Sequence, residues 1–134
     1  METIVKRIET VYLPVQNPAA SAEWYRHNLK LAHAAPIEPN ATQAQLLVGS
    51  GQSLFLIKSK EPIHANFTEI GGEEQCMLTL EVEQFQELHE RLSKDGVMVT
   101  KIEDHEGCGE NFYVYDPDGN KLDIWSGWPK EREG

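Results

Sequence analysis

The sequence predicts an α+β fold in which a strand, a helix and three further strands occur twice in succession. Three observations predict it. Asp116-Pro117-Asp118-Gly119 is a turn with a mechanism: Pro117 presets φ, Asp116 can accept from backbone amides, and Gly119 can take positive φ. The runs on either side alternate and are rich in aromatic and branched residues, so Glu110 to Gly127 reads as a hairpin. Near the other end, an alternating run from Ile8 to Val15 meets Asn17-Pro18, a cap followed by proline at the first helical position. The same order then returns at Met77, where an alternating run leads into a helical stripe of Phe85, Leu88 and Leu92 that Asp95-Gly96 stops.

In the first half, Val11, Leu13 and Val15 share one face of the opening strand, and Ile8, Thr10, Tyr12 and Pro14 share the other. Ala19 to Leu31 carries Ala22, Tyr25 and Leu29 at helical spacing and should cover the face of Val11, Leu13 and Val15. Ala32 to Ile37 reads as a short strand. Gln43 to Val48 and Ser53 to Ile57 flank Gly49-Ser50-Gly51-Gln52 and read as a hairpin. Lys58 to Gln75 is polar and broken by Pro62, Gly71 and Gly72, which makes it a long connector with room for a short turn of helix. In the second half the expected elements are a strand from Met77 to Val82, a helix from Glu83 to Lys94, a strand from Val97 to Ile102, a Glu/Gly-rich loop, and the closing hairpin. On that hairpin Phe112, Val114, Leu122 and Ile124 form an apolar face. Asn111, Tyr113 and Tyr115, with Lys121, Asp123 and Trp125, form a polar and aromatic one, either a ligand wall or an ordinary solvated face.

A chain of 134 residues, 40% hydrophobic and 25% charged, is long enough for one domain with a core of its own. Its net charge of -10 argues against a nucleic-acid phosphate footprint and against anionic membrane surfaces. It suits a cationic ligand and is also a route to solubility. No apolar run reaches the length of a membrane span, and Met1-Glu2-Thr3-Ile4-Val5-Lys6 lacks the regions of a signal peptide, so the expected location is cytoplasmic. Cys76 and Cys108 make no disulfide framework and are expected to be reduced.

Residues 112–123, Phe-Tyr-Val-Tyr-Asp-Pro-Asp-Gly-Asn-Lys-Leu-Asp, resemble the closing hairpin of the vicinal oxygen chelate superfamily, which includes glyoxalase I, extradiol dioxygenases, fosfomycin-resistance enzymes and bleomycin-binding proteins. Thr10-Val11-Tyr12-Leu13-Pro14-Val15, with Trp24-Tyr25 downstream, is similar to its opening strand and helix, so the resemblance spans nearly the whole chain. It implies the glyoxalase/bleomycin resistance/dioxygenase fold, two βαβββ modules forming a curled mixed sheet around a cleft. Residues 1–134 are then a single domain, with module 1 at about 5–58, a connector at 59–75 and module 2 at about 76–127. It also implies a ligand-binding face of Thr10, Tyr12, Met77, Thr79, Asn111, Tyr113, Asp123 and Trp125, and a homodimer.

Metal-dependent members place ligands at positions matched here by Thr10, Met77 and Asp123, with a further one at Phe55. A hydroxyl, a thioether and a phenyl ring are poor substitutes for the imidazole and carboxylate that Zn²⁺, Mn²⁺ or Ni²⁺ prefer, so neither metal nor other cofactor is expected. His105 with Cys108, and His64 with Cys76, lack ligand-pair spacing. Ser50 and Ser53 lie in a hairpin without a nucleophile elbow, and Gly49-Ser50-Gly51 is too short for a phosphate loop.

Two functions follow from different classes. One is a metal-free protein that binds a small aromatic or cationic molecule, with Trp125, Tyr113 and Tyr12 for stacking and Asp123 as a fixed anion. The other is an enzyme, a glyoxalase-type lyase or isomerase or a fosfomycin-resistance-type transferase, with Asp123 as the candidate catalytic base. Asp123-Ile124-Trp125-Ser126-Gly127 with Arg132 downstream resembles the fosfomycin-resistance branch, where a C-terminal arginine helps bind the phosphonate.

Overall fold

The computed structural model describes residues 3–49 and 51–129. The chain divides into two compact units between His64 and Ala65.

Unit 1 contains β1 (Thr10–Val15), α1 (Pro18–Leu29), β2 (Ala32–His33), β3 (Gln43–Leu47) and β4 (Ser53–Lys58). The four strands form one sheet in the order β1-β4-β3-β2, parallel between β1 and β4 and antiparallel elsewhere. Asn17 starts α1 as expected, its side chain accepting from the Ala20 amide at 3.1 Å, with Pro18 at the first turn. Lys30 ends the helix in the left-handed region at φ 59. Register puts Leu13 beside Leu56 and Leu56 beside Ala44, and these residues with Val15, Leu46 and Leu54 are buried. Ala22 and Tyr25 of α1 are buried as well, and α1 lies against β2, β3 and β4. Each such leucine stabilises the unit by about 1.5–3 kcal/mol relative to an exposed one.

Unit 2 opens with a two-stranded piece, β5 (Phe67–Thr68) and β6 (Glu74–Gln75), and continues with β7 (Thr79–Glu81), α2 (Phe85–Lys94), β8 (Glu103–His105), β9 (Gly109–Tyr115) and β10 (Lys121–Trp125). Its main sheet runs β7-β10-β9-β8, parallel between β7 and β10, which is the arrangement of unit 1 repeated. Phe112, Val114, Leu122 and Ile124 are fully buried, as the alternation predicts. Phe85 and His89 of α2 bring their rings to 5.2 Å and 4.7 Å from the Phe112 ring.

The fold class is therefore the expected α+β repeat, with three local corrections. The connector, read as a polar stretch with room for a short turn of helix, holds the β5-β6 hairpin instead; Glu69 and Glu73 close it through a backbone hydrogen bond of 2.8 Å. The strand expected from Met77 begins only at Thr79. The strand expected over Val97–Ile102 is reduced to a single bridge between Val99 and Val114, and β8 forms instead inside the expected loop. Thr100 explains the interruption. The next rung of the ladder would take the Tyr113 amide to the Thr100 carbonyl, but the Thr100 hydroxyl accepts that proton at 2.8 Å while its carbonyl accepts from His89 at 2.8 Å.

Candidate functional site

In unit 1 the face opposite α1 carries Thr10, Tyr12 and Phe55. Register sets Tyr12 beside Phe55 and Phe55 beside Gln45, so these three share one side of the sheet. The Tyr12 and Phe55 rings stack at 5.6 Å with an interplanar angle of 24°, and Tyr12 remains 62% exposed. A concavity of ≈ 310 Å³ opens on this side, lined by Phe55, Gln43 and Gln45 of the sheet and by Ala34, Ile37 and Glu38 of the segment after β2. That volume is at the small end for ligand pockets. Thr10 is not available to it as a free hydroxyl, because Oγ1 donates to the Ser53 carbonyl at 3.1 Å.

In unit 2 the closing hairpin and β7 bring Asp123, Tyr113 and Thr79 side by side, since β10 pairs Asp123 with both. Asp123 is held from two directions. Thr79 Oγ1 donates to Oδ2 at 2.8 Å and Asn111 Nδ2 donates to Oδ1 at 2.7 Å. Asn111 is only 4% exposed and its Oδ1 lies 2.6 Å from His105 Nε2. The carboxylate is thus oriented by neighbours on two strands, and a carboxylate retains capacity to accept more. Its charge is felt nearby: burial first and then Asp123 push the Tyr113 hydroxyl upward in pKa, and the same two causes raise the Cys76 thiol. Tyr115 is raised by burial and by Glu74, whose Oε1 accepts from its hydroxyl at 3.3 Å.

Two aromatic residues have occupied faces. Lys121 Nζ stands 4.1 Å from the centre of the Tyr113 ring while donating to the Glu74 carbonyl at 2.6 Å, so an internal cation already covers one side of Tyr113. The Trp125 indole lies against Gly109, where an added Cβ would come within 2.6 Å of Cη2, and it meets the edge of Trp128 at 5.9 Å. Gly109 also has φ +133, so glycine is required there twice over.

Of the expected ligand-binding residues, unit 2 gathers Thr79, Asn111, Tyr113, Asp123 and Trp125 on one face. Met77 lies outside β7 and is 55% exposed. Thr10 and Tyr12 belong to unit 1. His105 and Cys76 were not among the expected site residues; the signal for His105 was its place six residues before Asn111 across a Gly107-Cys108-Gly109 turn, hidden by reading that stretch as loop. Arg132 and Ser50 lie outside the described residues.

The residues matched to the metal-ligand positions do not fit a hard metal ion. Thr10 offers only a neutral hydroxyl, Met77 a thioether, and Phe55, stacked on Tyr12, no donor atom, which leaves Asp123 as the one hard anionic ligand among the four. Among the described residues no group of three or more His, Cys, Asp or Glu is placed to hold a metal ion. No helix among them is long and apolar enough to cross a membrane.

A sequence model of the Glyoxalase/Bleomycin resistance protein/Dioxygenase superfamily matches residues 7–124. A glyoxalase family protein from Enterococcus faecalis superposes with a TM-score of 0.70 at 22% identity, covering 92% of this chain and 100% of its own. The antibiotic binding protein TnmS3 from Streptomyces sp. CB03234 gives 0.69 at 19% identity, covering 92% and 98%. Lactoylglutathione lyase from Agrobacterium tumefaciens gives 0.69 at 16% identity, covering 92% and 95%. No curated protein sequence matches the chain.

Proposed function

The chain belongs to the Glyoxalase/Bleomycin resistance protein/Dioxygenase superfamily, and from that premise we propose that it is a metal-free binding protein for a small aromatic or cationic molecule, anchored at Asp123. The observation that carries this reading is the carboxylate itself: held by Thr79 and Asn111, among Tyr113 and Trp125, in a chain whose other matched metal positions are Thr10, Phe55 and Met77. A fixed anion beside aromatic rings recognises a cation or a flat ring through charge and stacking. That TnmS3 is an antibiotic binding protein on the same fold supports the class of ligand, not its identity. The location in this reading is cytoplasmic.

The test is Trp fluorescence during titration with a library of small aromatic and cationic compounds. A binder should quench the emission, and the change should vanish in Trp125→Phe; a library without a binder would favour a face that is merely solvated. A second expected result concerns metal. After incubation with excess Zn²⁺, Ni²⁺ or Mn²⁺ and desalting, elemental analysis should find no stoichiometric metal. About one ion per chain, abolished by Asp123→Ala, would instead favour the lyase, isomerase or transferase reading.

The same proposal includes a homodimer. Ile4, Val5, Ile8, Phe67 and Ile70 are exposed apolar side chains, and β2 and β8 are outer strands of their sheets, features that association commonly covers. Light scattering at micromolar concentration should report twice the chain mass; a value of 15.2 kDa alone would reject a stable dimer.

A further inference from the structure

His105, at the end of β8, is linked to Asp123 through one side chain, Asn111. Its proton position follows from chemistry. Asn111 Nδ2 is 2.7 Å from Asp123 Oδ1, and an ionised carboxylate can only accept. The amide nitrogen must therefore face Asp123, which turns the amide oxygen to His105, and His105 Nε2 must donate across the 2.6 Å contact. A neutral ring then keeps its lone pair on Nδ1, which has no protein partner among the described residues. A proton added there makes the ring a cation one buried amide away from the carboxylate.

We propose that His105 is the proton sensor of this face: protonation at Nδ1 lowers the affinity of the Asp123 site for an organic cation. The inference rests on the reading of Asp123 as a cation anchor. The other charged groups around the ring are Glu103 on β8, whose Oε2 is 3.9 Å from Nε2, and Glu81 of β7 and Lys121 of β10, which share the face with Asp123 by register. Asp104 and Glu110 pair with each other on the opposite side, and Trp125, with its ring centre 6.4 Å from that of His105, is uncharged. Imidazole is the side chain whose ordinary titration changes charge between pH 5 and 8. Two like charges near a protein surface at this order of separation change affinity by about three- to tenfold.

The experiment uses benzyltrimethylammonium, whose charge does not vary with pH, and neopentylbenzene, its neutral counterpart, titrated near pH 8 and near pH 5.5 (roughly the window over which imidazole changes charge). The ammonium should bind about three- to tenfold tighter at the higher pH, and the hydrocarbon equally at both. In His105→Phe, an exposed change that keeps a ring, the ammonium should bind equally at both. Equal affinity in the unsubstituted protein, or a pH effect that survives in His105→Phe, overturns the inference and leaves the Asp123 anchor standing. An absence of ammonium binding at either pH overturns the anchor and the sensor together. Nitrogen-15 NMR of the ligand-free protein near pH 8 should show the Nε2–H tautomer of His105, and an Nδ1–H tautomer would overturn the coupling through Asn111.

Discussion

Replacing Asp116 by alanine is expected to destabilise unit 2 by about 3 kcal/mol, the largest loss from any single polar substitution in the closing hairpin. Asp116 is buried, and its carboxylate accepts from the amides of Asp118 and Asn120, each at 2.9 Å, and from the Asn120 side chain at 2.9 Å. Asn120, fully buried, passes the order on: its Oδ1 accepts from the Ala65 amide at 2.8 Å. Beside it Asn66 donates to the Gly119 carbonyl and accepts from the Lys121 amide, both at 2.8 Å. Alanine at 116 leaves buried donors without an acceptor at about 1–3 kcal/mol each, reduced by whatever water can reach them. Asp116→Asn keeps one oxygen for the two amides but turns an NH₂ toward that of Asn120, so a smaller loss of about 1 kcal/mol is expected. Urea denaturation measures both. A loss below about 0.5 kcal/mol for Asp116→Ala would mean that Pro117 and Gly119 hold the turn without the carboxylate.

That turn also marks how far the sequence could be read. Asp-Pro-Asp-Gly is a local signal, because cap, fixed φ and positive φ act within a few residues, and Gly119 does sit at φ +87. The tie from Asn120 back to Ala65 spans 55 residues and has no local signature. The same division runs through the rest of the chain. Asn17-Pro18 and the alternation of β9 and β10 were legible because period and cap chemistry are properties of neighbours. The residues Val97–Ile102 looked like a strand by propensity, but Thr100 and His89 take the bonds that would have continued it, a tertiary effect. In the candidate site, alternation correctly placed Asn111, Tyr113, Asp123 and Trp125 on one side. It could not show that Thr79 and Asn111 both hold Asp123, that Lys121 covers Tyr113, or that His105 reaches Asn111, since these depend on rotamers and on pairing between strands.

Asp123→Asn should weaken benzyltrimethylammonium by about 10- to 100-fold, within the span of about 1–4 kcal/mol expected for two unit charges about 4 Å apart near a protein surface, and leave neopentylbenzene within about twofold. The substitution tests charge with little change of shape. An asparagine at 123 can point its oxygen to Asn111 Nδ2 and its NH₂ to the Thr79 hydroxyl, which reverses its role from donor to acceptor, so both neighbours stay satisfied. Stability measured beside affinity guards that assumption: urea midpoints of the two proteins should agree within about 1 kcal/mol. The ammonium presents no hydrogen-bond donor, so its preference for the unsubstituted protein can come only from charge and from the ring faces of Tyr113 and Trp125, which Asp123→Asn leaves in place. Charge therefore predicts a selective loss, stacking alone predicts none, and a collapse of the face predicts equal losses for both probes. Equal losses would make Asp123 a structural residue that organises Thr79 and Asn111, and the binding reading would then have to rest on the concavity of unit 1 beside Phe55.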